Sequence, residues 1–243
     1  MNVLEVQNLD VRYGQLKAVR DVGFDLAPGE VVSLIGANGA GKSTLLRAIA
    51  GAHALSGGSV RFQGRDVSRT AAHLRLRAGM ALVPEGRRLF GAMTVRENLG
   101  LGRVRGRAGL WSVDKVLQVF PNLTARLNAK AQTLSGGEQQ ATAIGRALMS
   151  NPDLIMLDEV SLGLAPMVVE QVYASLSSLR QAGTTIVLVE QDLSRAMAFS
   201  GRAICMLEGE IVLDRPMSAL SRDQITDAYF GLNRADPKPG AAP

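Results

Sequence analysis

The spacing of apolar residues changes along this chain, and each change marks an element. Residues 3–12 alternate apolar and polar side chains (Val3, Glu5, Val11, Arg12), the two-residue repeat of a half-buried strand. A second strand is predicted over 18–26. Pro28-Gly29 then turns the chain into Val31–Ile35, an unbroken apolar run suited to a strand buried on both faces. Lys42–Ala50 has helical spacing and stops at Gly51. Ser59–Gln63 reads as a strand, Thr70–Ala78 as a helix and Met80–Val83 as a short strand. From Thr94 to Leu127 helical spacing is broken by glycines and Pro121, the pattern of a small helical lobe. Helices are predicted at Gly137–Met149 and Met167–Gln181, alternating with strands at Leu154–Leu157 and Thr184–Val189. Leu193–Phe199 reads as a short helix, and Ile204–Leu207 and Glu210–Asp214 flank Gly209 as a hairpin. The tail 233–243, rich in Pro, Ala and Gly, predicts disorder. The order implies one α/β unit: parallel core strands, an N-terminal antiparallel layer and a helical insertion.

Composition narrows the class. At 243 residues, 47% hydrophobic and 20% charged, the chain suits a single large globular domain and not a disordered one. The lone cysteine, Cys205, cannot form an intramolecular disulfide and reads as an inert core thiol in a strand. The N-terminal residues carry acids and no apolar secretory region, and no uncharged apolar run reaches ~18 residues, the length of a membrane span. The expectation is a cytoplasmic chain that meets a membrane only through a partner. The net charge of +5 is uneven: residues 61–107 hold eleven Arg against Asp66, Glu85 and Glu97. Nucleic acid, an anionic membrane or a phosphate ligand could each explain it.

Three segments bear on that choice. Gly36-Ala-Asn-Gly39-Ala-Gly41-Lys42-Ser43-Thr44 follows a strand and opens a helix, matching G-x-x-x-x-G-K-[ST]. Glycines let backbone N–H groups converge on a phosphate at a helix N-terminus; Lys42 would reach the β- and γ-phosphates, and Ser43 a Mg²⁺ ion. A turn that binds nothing is the bland alternative. Leu154–Leu157 runs into Asp158 and Glu159, two carboxylates at the carboxyl edge of a parallel sheet. They could equally be solvated acids, or could hold the metal shell and orient the attacking water. Ser135-Gly136-Gly137-Glu138, 23 residues before Asp158, is on one reading a helix N-cap with flexible neighbours. On the other it is a second anion site, which one nucleotide could use only if two chains met head to tail.

Together these motifs resemble the ATP-binding cassette (ABC) ATPases over residues 1–232. Gly36–Thr44 is similar to the Walker A motif, Leu134–Glu138 to the signature and Leu154–Glu159 to Walker B. The resemblance implies a P-loop-type parallel core over 1–93 and 150–232, with a helical lobe over about 94–149. It implies ATP and Mg²⁺, and Tyr13 as an adenine-stacking aromatic. Gly36, Asn38, Gly39, Ala40, Gly41, Lys42, Ser43, Thr44, Ser135, Gly136 and Gly137 would bind nucleotide; Ser43, Glu85 and Asp158 would hold the metal; and Glu159, Lys42 and Gln191 would act in catalysis. The stretches VPEGRRLF, LSGGEQQ, LGLAP and LVEQD further resemble one ATPase of the branched-chain amino-acid importers. That likeness implies a partner ATPase, identical or different, two membrane permeases, and a periplasmic binding protein acting indirectly, at the cytoplasmic face of the inner membrane.

The chain departs from the family pattern at several positions. Glu85 replaces a glutamine, Val160 a proline, and Leu162 and Ala165 a serine and an aspartate; Gln191 replaces the histidine that touches the γ-phosphate. Gln191 can donate a hydrogen bond but cannot change charge near neutral pH, so Glu159 is the expected base. His53, His73 and Trp111 lie outside the motifs, Trp111 as a packing residue. No nucleic-acid motif is present, and the arginine belt is expected to face a permease and the membrane, plain solvated arginines being the alternative. Other cargo, or a soluble non-transport ABC ATPase, are the alternative functions. The second fits less well, because only 93 residues separate Lys42 from Ser135 and there is one cassette.

Overall fold

Two sheets divide the work. A computed structural model describes residues 1–232; the tail read as disordered, 233–243, lies outside the described residues. In the first sheet, β1 (Leu4–Tyr13) pairs antiparallel with β2 (Leu16–Leu26) and β4 (Gly57–Phe62), and a short β5 (Arg65–Asp66) pairs with β4. The second has the order β10-β9-β3-β8-β7-β6: β3 is Val31–Ile35, β6 Met80–Val83, β7 Leu154–Asp158, β8 Thr185–Val189, β9 Arg202–Leu207 and β10 Glu210–Pro216. All neighbours in it run parallel except β10, the antiparallel edge.

The unbroken apolar strands serve two layers at once. Val32, Leu34, Leu154, Met156, Val187 and Val189 point to a core shared with the first sheet and with Leu45, Leu46 and Ile49 of helix α1 (Lys42–Ile49). Their alternate neighbours Val31, Ile155, Leu157, Ile186 and Leu188 face a second core on the opposite side. That second core is closed by α3 (Val95–Leu101), α4 (Val113–Val119), α5 (Gly136–Leu148) and α6 (Pro166–Gln181). Trp111 is buried there as a packing residue, as expected, and Met80 and Met206 are buried in the first core. A third, smaller cluster joins α7 (Leu193–Phe199) and α8 (Arg222–Phe230) to β9.

The remaining helix, α2 (Ala72–Ala78), contains Arg75, which is 2% exposed. Its guanidinium donates to the carbonyls of Ala48 and Ile49 at 3.0 and 2.6 Å, and to Thr70 and Ser68 at 2.8 and 3.0 Å. It therefore caps the carbonyl end of α1. Arg107 is likewise committed, donating to Asn151 O and Ala78 O and pairing with Asp153 at 3.0 Å. These two arginines are internal ties and leave the belt's surface role to the others. Among strands and α-helices, β5 and α8 escaped the sequence reading, as did the 3-10 turns Ala131–Thr133 and Met217–Ala219; α8 carries a Ser221–Gln224 capping box but buries only Ile225.

Candidate active site

Strand order explains why distant motifs meet. The carboxyl ends of β3, β8, β7 and β6 lie side by side and lead to Gly36, Glu190-Gln191, Asp158-Glu159 and Pro84-Glu85. A cleft of about 480 Å³ opens over these ends. Its lining includes Asn38, Lys42, Ser43, Glu85, Glu159 and Gln191.

The Gly36–Gly41 loop is shaped by close backbone neighbours. A methyl at Gly36 would strike the Met206 carbonyl, and one at Gly41 would stand 2.5 Å from Ala18 O. Gly41, at φ +102°, precedes α1 without a side-chain cap, and the helical ladder begins with Leu45 N–H to Gly41 O at 2.8 Å. The N–H groups of Lys42, Ser43 and Thr44 are thus the open donors of a helix start, suited to an anion. Lys42 is buried and donates to Gly36 O at 2.6 Å and Ala37 O at 2.9 Å. Burial pulls its pKa below the usual lysine value, while Glu159 and Asp158 pull it back up. Gly36 and Ala40 are buried in the loop, and act by shaping it.

Asp158 sits at the end of β7. Its Oδ1 accepts from Ser43 Oγ at 2.8 Å, but Oδ2, buried, has no hydrogen-bond partner among the described residues. Burial raises its pKa, opposed by the Ser43 bond. A buried carboxylate oxygen left without a donor beside a hydroxyl is a hard-oxygen pair of the kind Mg²⁺ takes. The residues fit that ion. Glu159 follows at φ +50°, a left-handed backbone that few non-glycine residues adopt, and lines the cleft. Glu85 is exposed at the cleft wall. Gln191 donates from Nε2 to Asn38 Oδ1 at 3.1 Å, bringing the end of β8 onto the Gly36–Gly41 loop.

Tyr13 stands at the rim, 45% exposed. His53, which sequence reasoning set aside, stacks on it with ring centroids 4.4 Å apart and 27° between planes. Its Nε2 lies 3.1 Å from Arg12 O. Nothing in the local sequence marks His53, because β1 and the turn after α1 meet only in the fold.

Ser135, Gly136 and Gly137 are outside this cleft. Ser135 caps α5 in a reciprocal box: its hydroxyl accepts from Glu138 N–H at 3.3 Å, and Glu138 accepts from Ser135 N–H at 2.8 Å. Burial raises the Glu138 pKa, yet the Ser135 bonds and Arg126 together hold it below the ordinary value. Ser135 is thus the N-cap of α5 and stays exposed, and the next residue, Gly136, lies against Leu164 and Arg87. Of the departures, Val160 is buried in the second core, whereas Leu162 is exposed on the cleft lining.

The family model for the ABC transporter matches residues 19–161. The chain is 43% identical to the high-affinity branched-chain amino-acid transport ATP-binding protein BraG of Pseudomonas aeruginosa, over 94% of this chain and 100% of that protein. Its fold is similar to that of MJ1267, an ATP-binding cassette of an ABC transporter, with TM-score 0.81, 28% identity, and 94% and 99% of the two chains covered. It is also similar to the dimeric post-hydrolysis cassette MJ0796 bound to ADP and Pi, with TM-score 0.79, 25% identity, and 89% and 100% covered. The fold, the converging strand ends and the matched motifs lead to one assignment: the chain belongs to the ABC transporter family, as an ATP-hydrolysing ATP-binding subunit.

Proposed function

We propose that this cassette powers import of branched-chain amino acids, closing head to tail on a second cassette with ATP between them. The observation that carries the mechanism is the division of the phosphate-recognising groups. Lys42 and the α1 N-terminus line the cleft, while Ser135 faces solvent elsewhere on the same chain. One chain offers half of two sites, and a second cassette supplies the other half of each. That partner is a further copy or a sister ATPase. The cargo reading rests on the full-length likeness to BraG.

In this reading the residues divide the chemistry. Tyr13 stacks on the base, and the loop Gly36–Thr44 holds the phosphates with Lys42 released from its carbonyls. Ser43, Asp158 and Glu85 would hold Mg²⁺, which would supply positive charge to offset that of the phosphates. Glu159 takes a proton from the water whose oxygen attacks the γ-phosphorus, and the bond to the β-phosphate oxygen breaks, giving ADP and phosphate. Gln191 contacts the γ-phosphate. Glu159→Gln is expected to bind ATP and lose turnover; Lys42→Ala is expected to lose ATP binding itself.

The cassette comprises residues 1–232, with 1–93 and 150–232 as core and about 94–149 as helical lobe. A groove of about 350 Å³ between them is lined by Pro84, Phe90, Leu101, Arg88 and Arg146. Phe90 and Leu101 are 56% and 51% exposed, and the Arg146 guanidinium lies 6.0 Å over the Phe90 ring. Its two charged residues are both cationic, which suits a permease's cytoplasmic helix carrying an acid among apolar residues. Bound there, the chain sits at the cytoplasmic face of the membrane, although no helix among the described residues is long and apolar enough to cross it. The test is co-purification with the permeases and ATPase assay with the binding protein loaded with leucine. Stimulation supports the reading; no stimulation by any branched-chain ligand overturns the cargo.

A further inference from the structure

Beneath the cleft, one buried carboxylate takes no part in the steps assigned above. Glu190 is 2% exposed and directly follows β8, the strand between β3 and β7. Its Oε1 accepts from Ser161 Oγ at 2.5 Å and from Tyr173 OH at 2.7 Å. Its Oε2 accepts from the backbone N–H of Gln191 at 3.1 Å and of Asp192 at 3.4 Å. Among the described residues, its side-chain hydrogen-bond partners are thus two hydroxyls and two backbone N–H groups, drawn from three segments. These are the loop two residues past Glu159, the middle of α6, and the turn that carries Gln191.

A carboxylate taken out of water needs such donors, and donors from separate segments are then fixed relative to one another. Burial and the neighbouring Glu190 push the Tyr173 hydroxyl far above its ordinary pKa, so it remains a donor. The two oxygens divide the task. Oε1 holds the loop behind Glu159 against α6, and Oε2 holds the turn behind Gln191.

We infer that Glu190 is a positioning residue for ATP hydrolysis, fixing the loop of Glu159 and the turn of Gln191 in one rigid frame. The inference rests on the roles proposed above for Glu159 and Gln191. Glu190 itself meets neither nucleotide nor attacking water, and acts through Ser161 and the Gln191 backbone. The frame makes a selective demand on its replacement. An amide can keep its oxygen toward the two backbone N–H groups and turn its NH₂ to the two hydroxyls, which can accept as well as donate. Glu190→Gln therefore preserves the frame, and Glu190→Ala removes it.

The test is steady-state ATPase of the transporter assembled with its permeases, together with ATP affinity of each variant cassette. Glu190→Ala is expected to lower kcat by about tenfold or more while KM for ATP stays within about twofold, and Glu190→Gln to recover most of that loss. The double variant Ser161→Ala/Tyr173→Phe leaves the carboxylate and its backbone contacts in place, and is expected to lose kcat to an intermediate extent. It keeps the test open should Glu190→Ala not fold. Wild-type kcat in Glu190→Ala or in the double variant would overturn the inference, as would a loss confined to KM or a Glu190→Gln variant as impaired as Glu190→Ala. Wild-type turnover in Glu159→Gln or Gln191→Ala would instead remove the roles beneath it, a failure visible independently of the Glu190 series.

Discussion

At the scale of single residues, the site is held under tension by one oxygen. Asp158 is buried, its Oδ2 finds no donor among the described residues, and burial raises its pKa above the ordinary carboxylate value. The folded chain consequently binds a proton there more readily than the unfolded one. This group's contribution to stability is therefore greatest below the unfolded pKa and falls as pH rises through the folded one. Asp158→Asn, which removes the charge, is expected to raise the melting temperature of the nucleotide-free protein, by a margin larger at pH 8 than at pH 4. The same variant should lose the stabilisation that ATP with Mg²⁺ gives the wild type. Thermal melts across pH, with and without ATP and Mg²⁺, check both. Cys205 is a simpler case: buried, with burial pushing its thiol up to about 11. A maleimide should label it only after denaturation, since the thiolate is the reacting form; rapid labelling of the folded protein would contradict its core placement.

At the scale of elements, α1 is fastened at one end and open at the other. Its N-terminus is left open for phosphate, and its C-terminal carbonyls are held by Arg75 from α2. Arg75→Ala strands those carbonyls and is expected to cost about 3 kcal/mol of stability. For a chain of this size that corresponds to a fall of several degrees in Tm, on the order of 2–4 °C per kcal/mol; a melt within one degree of wild type would show the ties to be dispensable. The elements around the cleft were legible in the sequence because their periods are strong: Val31–Ile35, Met80–Val83 and Leu193–Phe199 match the observed spans, and the motifs stand at strand ends. What was hidden had weak local signals. Helix α8 has one buried apolar residue, and β5 is two residues long. Arg75 reads as one more surface charge until the fold buries it, and His53 meets Tyr13 only across the turn after α1. Glu190 could be read as an acid in LVEQD, but its donors lie in three segments that no spacing joins.

At the scale of the whole molecule, two surfaces matter: the one that meets another cassette and the one that meets the permeases. Of the arginine belt, Arg75 and Arg107 are internal ties, while Arg88, Arg96, Arg103 and Arg105 are exposed around the helical lobe and its groove. Reversing Arg103 and Arg105 to glutamate is expected to weaken co-purification with the permeases while ATP affinity of the isolated cassette is unchanged. Loss of ATP affinity with intact assembly would return the belt to the nucleotide. The other surface carries the central claim, that the cleft around Lys42 is completed by Ser135 of a second cassette. The most direct measurement is the molar mass in solution of Glu159→Gln, alone and mixed with the companion ATPase of the same transporter, with and without ATP and Mg²⁺. The account predicts a doubling of mass on adding ATP and Mg²⁺ in at least one of these mixtures, abolished by Ser135→Arg. A particle that binds ATP at Lys42 and stays monomeric in both mixtures would contradict it.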